Sequence, residues 1–163
     1  MAILLFRVDE RLIHGQVVVG WGNELRPDTI VVVDDDLAES DWEQDLYRLG
    51  LVEGMHAVFE TVADAMDHLD ERIADSSRTV LLTRDITTML RLAGAGQLRG
   101  RDVNIGGLHY ASGRDAVLPY VYLDADQRDA LSALLDHGAY VSARDLPGGR
   151  RVSAERLLRG GDE

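Results

Sequence analysis

The side chains best suited to chemistry lie in one polar segment, residues 7–16, of sequence Arg-Val-Asp-Glu-Arg-Leu-Ile-His-Gly-Gln. The imidazole of His14 is a nitrogen nucleophile that, in its neutral form, can accept a phosphoryl group and pass it on. The guanidinium groups of Arg7 and Arg11 could bind the equatorial phosphoryl oxygens during an in-line transfer. The segment therefore predicts a phosphohistidine loop.

Two carboxylates and two flanking elements would position this histidine. Asp9 or Glu10 could accept one ring N–H and leave the other ring nitrogen free to attack. An apolar strand is predicted over residues 2–6, before the loop, and an amphipathic helix over residues 16–25, after it. A loop that opens a helix presents backbone N–H groups to a phosphate at the positive end of the helix dipole.

The composition excludes several other kinds of site. The chain has no cysteine, which excludes disulfides, thiolate catalysis and Cys-type zinc centres. All 17 basic residues are arginine, so a Walker A lysine, a Schiff-base lysine and the lysine of a receiver domain are absent. A net charge of −12 argues against nucleic acid, because phosphate repulsion would oppose binding. A nucleotide-binding or receiver-type domain is therefore poorly supported.

Length and hydrophobicity predict one domain over residues 1–163, with 45% hydrophobic residues. The longest apolar runs are of strand length, far short of the roughly 20 residues of a membrane helix. An apolar strand follows Met1 without a basic leader or a small-residue cleavage site. We therefore expect a cytoplasmic protein that is not inserted in the membrane.

Predicted strands and helices alternate along the rest of the chain. Capping-box spacing at Ser40 and Asp124 marks the start of two helices. Further strands are predicted over residues 29–33, 55–59, 79–82, 116–123 and 140–143, with one more beginning at residue 103. The alternation predicts an α/β fold: a single open, mostly parallel, doubly wound sheet with helices on both faces and an irregular C-terminal part.

Two further polar loops should reach the same edge of this sheet. Thr83 and Arg84 follow a predicted strand, where open α/β sheets bind ligands, although a helix-capping turn accounts for them equally well. A strand that breaks at Gly107 brings bare backbone close to this edge, and His109 could then line the pocket. Carboxylates at 34–36, at the end of a strand, could suit a metal or acid–base chemistry, but we interpret the cluster as either a solvated loop or a means of orienting the arginines.

Residues 7–16 and the stretch Asn-Ile-Gly-Gly-Leu-His at 104–109 resemble two motifs of one protein family. This family is the IIB components of the mannose/fructose/sorbose class of the bacterial phosphoenolpyruvate-dependent sugar phosphotransferase system (PTS). Glu10 stands where many relatives have a second Asp, and Leu108 where Met is common. The resemblance implies an open α/β fold with mainly parallel strands.

The resemblance also implies an activity, that of a protein-Nπ-phosphohistidine–sugar phosphotransferase. A phosphorylated IIA protein would donate to His14 at Nδ1, and the group would pass to a sugar held by membrane IIC and IID components. Arg11 would stabilise the transferring charge and Asp9 would orient the ring, so no metal or cofactor is required. The residues expected to bind phosphate are Arg7, Gly15, Gln16, Thr83, Arg84, Gly107 and His109.

A second hypothesis comes from another class of protein. A regulatory module could keep the fold and the phosphorylatable His14 while signalling to a partner protein without transporting sugar. The loop sequence is compatible with both roles, and it does not identify the sugar.

Overall fold

The computed structural model describes residues 3–159, which form nine strands and six α-helices together with shorter helical turns. The strands are β1 (Ile3–Val8), β2 (Thr29–Val33), β3 (His56–Glu60), β4 (Thr79–Thr83), β5 (Asp102–Ile105), β6 (Asp115–Leu118), β7 (Val121–Leu123), β8 (Tyr140–Ala143) and β9 (Val152–Ser153). The helices are α1 (Gly22–Leu25), α2 (Asp41–Arg48), α3 (Val62–Ala74), α4 (Ile86–Leu92), α5 (Ala125–Asp136) and α6 (Ala154–Arg159).

Seven strands form one sheet in the order β3-β2-β4-β1-β5-β8-β9. All neighbours in it are parallel except β8 and β9. Alternate residues of β2 pack into two different apolar clusters, Val31 and Val33 into one, Ile30 and Val32 into the other. Because alternate strand residues point to opposite faces, the sheet is covered on both sides. The predicted fold class is confirmed.

The first strand is longer than predicted. β1 runs through Arg7 to Val8, so Arg7 belongs to the sheet and not to the loop that follows. Apolar periodicity stops at a charged residue, which is why the sequence placed the boundary at residue 6. The predicted start of this strand at Ala2 lies outside the described residues.

The helix predicted over residues 16–25 begins as a π-helix. Gln16–Trp21 is π-helical, and the chain then continues directly as α1. The amides of Val17 and Val18 both donate to the carbonyl of His14, at 3.0 and 2.9 Å, which fixes the start of this helix beside the histidine; the π-helical turns of Gln16–Trp21 are wider than α-helical ones. Wide turns of this kind are rare and are frequently found at functional sites.

Three local expectations are resolved by the structure. The strand predicted over residues 116–123 is an antiparallel hairpin, β6 and β7, because Pro119 lies in the turn between them. α2 begins directly after Ser40 as expected, although Ser40 makes no side-chain cap, whereas Asp124 and Gln127 form the full capping box. Among residues 3–159, no helix is long and apolar enough to cross a membrane.

Candidate functional site

Three polar loops meet at the carboxyl edge of the sheet, because β4, β1 and β5 are neighbours. The amide of Asp9 donates to the Thr83 carbonyl at 2.9 Å, which joins the loops after β1 and β4. The amide of Glu10 donates to the Gly107 carbonyl, also at 2.9 Å, which joins the loops after β1 and β5. The predicted meeting of these loops is therefore observed.

Asp9 is the centre of the loop after β1, and its side chain has no exposed surface. The carboxylate accepts from Arg7 Nη2 at 3.0 Å, from the Arg11 amide at 3.1 Å and from the Gly107 amide at 3.2 Å. A buried carboxylate is tolerated only when it is paired and hydrogen-bonded, as it is here. Asp9 is thus fixed in position by β1, by its own loop and by the glycine loop.

Arg7 lies behind Asp9 and is completely buried. Its Nη1 donates to the Asn104 side chain and, at 2.9 Å, to the Arg144 carbonyl; Nη2 donates to the Asp145 carbonyl at 3.0 Å. Burial lowers the pKa of the Arg7 guanidinium, and the neighbouring Asp9 carboxylate acts in the opposite direction. The expectation that Arg7 binds phosphoryl oxygens directly does not fit this position, since the terminal nitrogens are already bonded within the protein.

His14 faces the site from the end of the same loop, with 15% of its side chain exposed. Nδ1 lies 2.9 Å from the carbonyl oxygen of Leu12; a carbonyl only accepts, so this nitrogen carries a proton here. Nε2 lies 3.7 Å from Asp9 Oδ2 and makes no hydrogen bond. The Asp9 carboxylate is therefore on the side of Nε2.

The Leu12 carbonyl reaches the ring because Leu12 has a left-handed backbone, with φ of 54°. This conformation is unusual for a residue other than glycine, and such residues concentrate at functional sites. The Leu12 side chain is completely buried and its amide donates to the Asp9 carbonyl at 3.0 Å. Core packing and this turn together hold the strained residue in place.

Hydrogen-bond donors remain available beside the histidine. Within residues 3–159, the backbone amides of His14 and Gly15 donate to no acceptor. Gly15 has open space where a Cβ would be, so a ligand could approach its backbone closely. Arg11 is 45% exposed at the rim, where its Nη2 donates to Gln16 Oε1 at 2.8 Å. The unbonded amides and the exposed Arg11 guanidinium can all donate hydrogen bonds to a phosphoryl group.

Two of the residues predicted to bind phosphate are instead buried supports. The Thr83 hydroxyl donates to the Asp85 carbonyl at 2.9 Å, and its side chain has no exposed surface. The Gly107 amide is used by Asp9, and a Cβ at this position would press on the His109 ring. Their polar groups are consumed in holding the loops together, so direct contact with phosphate does not fit either position.

Arg84 and His109 lie at the rim of the same edge. Arg84 is 41% exposed, and its Nε lies 3.3 Å from Asp34 Oδ2. The acidic cluster therefore orients an arginine, one of the two interpretations that the sequence left open. The His109 amide and Nδ1 lie 3.0 and 3.3 Å from Glu10 Oε2, and Arg114 donates to the other carboxylate oxygen, Oε1.

Sequence reasoning missed three supports of the site. Asn104 and the carbonyls of Arg144 and Asp145 bind Arg7 across more than 90 residues of sequence, and no local pattern signals such a contact. Asn104 could have been suspected, because it is a polar residue within a buried strand.

Within the described part of the chain, no group of three or more His, Asp or Glu side chains is arranged to hold a metal ion.

An exposed apolar groove adjoins the loop. Trp42 and Leu46 on α2 are 67% and 57% exposed. They line a shallow cavity of about 500 Å³ together with Ile13, the neighbour of His14, and Arg84. Contiguous exposed apolar surface often marks an interaction site, whereas single exposed apolar residues are common on any protein. We call it the α2 groove.

An open, mostly parallel sheet with polar loops at its carboxyl edge defines an α/β protein whose ligands bind at that edge. A family model described as the PTS system sorbose subfamily IIB component matches residues 3–162. The chain belongs to this family of IIB components. Membership supports a role as a phosphoryl carrier in sugar uptake.

Individual relatives agree with this assignment. The N-acetylgalactosamine-specific phosphotransferase enzyme IIB component 2 of Escherichia coli K12 is 32% identical over 156 residues, which cover 96% of this chain and 98% of that protein. The mannose-specific EIIAB component of the same strain is 30% identical over 146 residues, 90% of this chain and 45% of that protein. The crystal structure of the IIBSor domain of the Klebsiella pneumoniae sorbose permease has the same fold, with a TM-score of 0.88 at 22% identity over 100% of both chains.

Proposed function

We propose that this chain is a cytoplasmic phosphoryl carrier that accepts a phosphoryl group on His14 from a phosphorylated IIA protein. The observation that carries the proposal is the geometry of the loop after β1. His14 turns Nε2 toward the buried Asp9 carboxylate, while the unbonded amides of His14 and Gly15 stand ready for phosphoryl oxygens. Arg11 at the rim supplies the positive charge that a transferring phosphoryl group requires.

Attack through Nδ1 requires a small rearrangement of the ring. In the structure the proton is on Nδ1, bonded to the Leu12 carbonyl, and Nε2 has no hydrogen-bond partner. The proton must move to Nε2, where Asp9 can accept the new N–H, and Nδ1 must leave the Leu12 carbonyl. Nε2 itself is buried and faces a carboxylate, so Nδ1 is the better nucleophile toward an incoming donor. Catalytic hydrogen bonds that are loose in a free protein commonly tighten when the partner binds.

The transfer itself needs no other covalent group. The P–N bond of the donor phosphohistidine breaks as the bond from His14 Nδ1 to phosphorus forms, and the donor ring keeps the electron pair. In the second transfer a sugar hydroxyl attacks phosphorus, His14 recovers the electron pair, and the hydroxyl proton passes to a base of the acceptor site. Positioning and charge stabilisation are the main demands of such a loose transition state.

The partners of both transfers follow from the same proposal. The donor is a phosphorylated IIA protein and the acceptor is a sugar held by membrane IIC and IID components. A mannose-specific relative is named as an EIIAB component, which supports a IIA unit as the donor. The α2 groove supports protein docking next to the loop, since Trp42 and Leu46 would be covered when a partner approaches His14.

The test is intact mass of the purified protein after incubation with phosphoenolpyruvate, the general phosphotransferase proteins and a cognate IIA protein. We expect one acid-labile phosphoryl adduct on the wild-type chain and none on His14→Ala. The variant should remain folded, because a loop histidine contributes little to the core.

Two results would contradict the proposal. Adduct formation that survives in His14→Ala would remove His14 as the acceptor. A wild-type chain without adduct, given a donor shown to be phosphorylated, would favour a regulatory module of the same fold.

A further inference from the structure

A second cavity, of about 470 Å³, lies against the sheet on the side of the π-helix and away from the exposed rim of the His14 loop. Residues Ile3 to Phe6 of β1 form its floor. Its walls are the segment that leads into β5 and the residues that follow β8. We call it the arginine cavity. Its charged and amide side chains are Arg99, Arg101, Asp102, Asn104, Arg144 and Arg151.

The charge of this cavity is opposite to that of the whole chain. Among residues 3–159, four arginines and a single carboxylate, Asp102, line it, although the chain carries a net charge of −12. Like charges gathered in one concave site repel one another unless an anion compensates them. Arg99, Arg144 and Arg151 supply positive charge that favours an anionic ligand.

Three of these arginines, Arg99, Arg144 and Arg151, are only partly satisfied by the described residues. Arg151 is 60% exposed, with Nη2 3.7 Å from Asp102 Oδ1 and Nε donating to the Ser142 hydroxyl at 2.9 Å. Arg99 pairs with no carboxylate within residues 3–159. The Nε of Arg144 is buried and has no hydrogen-bond partner. A buried N–H without an acceptor is costly, and an oxyanion in the cavity would remove that cost.

The aromatic residue of the cavity narrows the class of ligand. The guanidinium carbons of Arg7 and Arg144 lie 5.3 and 5.2 Å from the ring centroid of Trp21. Trp21 is itself only 3% exposed, so no aromatic face is left for a nucleobase to stack on. Asn104 Nδ2 donates to the Arg144 carbonyl at 3.3 Å and the Ser142 hydroxyl accepts from Arg151, but each still has one hydrogen that it can donate to a hydroxyl group of a ligand.

We propose that the arginine cavity binds a phosphate monoester of a small polyhydroxylated molecule, of the size of a hexose phosphate. The arginines take the phosphate oxygens, and Asn104 and Ser142 take hydroxyl groups. The volume lies within the range of small-molecule sites. The binding claim does not rest on the proposed function of His14.

Ligand binding reaches the His14 loop through shared residues. Asn104 lines the cavity and accepts a hydrogen bond from Arg7, whose Nη2 holds Asp9. The Arg144 side chain lines the cavity while its carbonyl accepts from Arg7. An occupied arginine cavity therefore biases the position of the carboxylate that faces His14.

Calorimetric titration of the full chain with glucose 6-phosphate, inorganic phosphate and glucose tests the proposal. We expect saturable binding of glucose 6-phosphate and no binding of glucose. Inorganic phosphate should bind with a Kd about tenfold higher than that of glucose 6-phosphate. The double variant Arg99→Gln/Arg151→Gln should lose about tenfold or more in affinity for glucose 6-phosphate. Both arginines are exposed, so the variant should fold normally.

The matched control is Arg48→Gln/Arg159→Gln, which removes the same charge from exposed positions that do not line the cavity. It should bind glucose 6-phosphate like the wild type, and so should His14→Ala. Equal losses in the two double variants would overturn the cavity as the site, and absence of saturable binding would overturn the proposal altogether. Equal affinity for inorganic phosphate and glucose 6-phosphate would overturn the monoester as the ligand.

Discussion

Among the groups in residues 3–159 that combine a histidine, a carboxylate and an arginine, two differ clearly in how the carboxylate is held. The loop group is Arg7, Asp9 and His14, in which the arginine and the carboxylate are completely buried. The helix group is Glu60, His68 and Arg72. Glu60 ends β3, whereas His68 and Arg72 lie one turn apart on α3.

The difference lies in what surrounds each histidine. His68 is 49% exposed, and its Nδ1 lies 3.0 Å from Glu60, which is already bidentate to Arg72. His14 is mostly enclosed, lacks a hydrogen bond at Nε2, and has unbonded amides beside it. The helix group satisfies its own charges and stabilises the fold, whereas the loop group leaves donors for a ligand. The same three residue types therefore define a site only when the backbone around them stays unsatisfied.

The strongest test of this comparison exchanges each histidine for alanine. His14→Ala should abolish the phosphoryl adduct, whereas His68→Ala should retain it in full, because His68 has no free backbone donors in its helix. Intact mass after the phosphoryl-transfer incubation measures both. A loss of adduct in His68→Ala would erase the distinction between the two groups.

The two arginines should differ in their effect on stability. Arg7→Met leaves the Asp9 carboxylate buried without its partner, so we expect a loss of about 3–5 kcal/mol in the free energy of unfolding. Arg72→Met should cost about 1 kcal/mol, because Glu60 lies nearer to solvent and keeps His68. Urea denaturation measures both. Equal losses would show that burial does not separate the groups.

Arg11 tests the electrostatic part of the loop group. Arg11→Lys keeps the charge but replaces a planar fork with a point charge, so we expect phosphoryl transfer to slow by about tenfold. Arg48→Lys on α2 is the matched control and should transfer at the wild-type rate. Rapid-quench measurement of adduct formation gives the rates. An unchanged rate for Arg11→Lys would remove Arg11 from the mechanism.

The smallest effect concerns acid stability in the helix group. Burial works against ionisation of Glu60, but Arg72 and His68 outweigh it and lower its pKa. In the unfolded chain a glutamate has a pKa of about 4.3. Because the pKa of Glu60 is lower in the folded state, its ionised form stabilises the fold above that pH, and this stability is lost as the pH falls through the folded-state pKa. The melting temperature of Glu60→Gln should thus lie below that of the wild type at pH 7 and approach it below about pH 4. A constant gap over this range would exclude Glu60 as the titrating group.

Much of the fold was predictable because local patterns determine it. β2 has the predicted bounds and α5 begins directly after its predicted cap at Asp124, since apolar periodicity and capping residues are local signals. Placing polar loops at the carboxyl ends of parallel strands was enough to predict that they meet. The His14 loop was predicted from its residue types and from its resemblance to a family motif.

The roles within the site were harder to predict. Arg7 was expected in the loop, and its burial depends on Asn104 and on two carbonyls from the far end of the chain. The left-handed Leu12 depends on core packing, which no spacing of residue types encodes. Thr83 and Gly107 have residue types that suit phosphate, but long-range backbone bonds use their polar groups. Contacts between distant segments therefore set the difference between a support and a ligand-binding residue.

The anchoring of Arg7 has a consequence for the order of synthesis. Its backbone acceptors, the carbonyls of Arg144 and Asp145, follow it by 137 and 138 residues. At about 5–20 residues per second, a ribosome needs roughly 7–28 s to deliver them after Arg7 is made. Throughout this interval the nascent chain already contains His14, but Asp9 lacks its anchored partner. The Asp9 carboxylate therefore gains its anchored partner only after residue 145 has been made, long after the residues proposed to react.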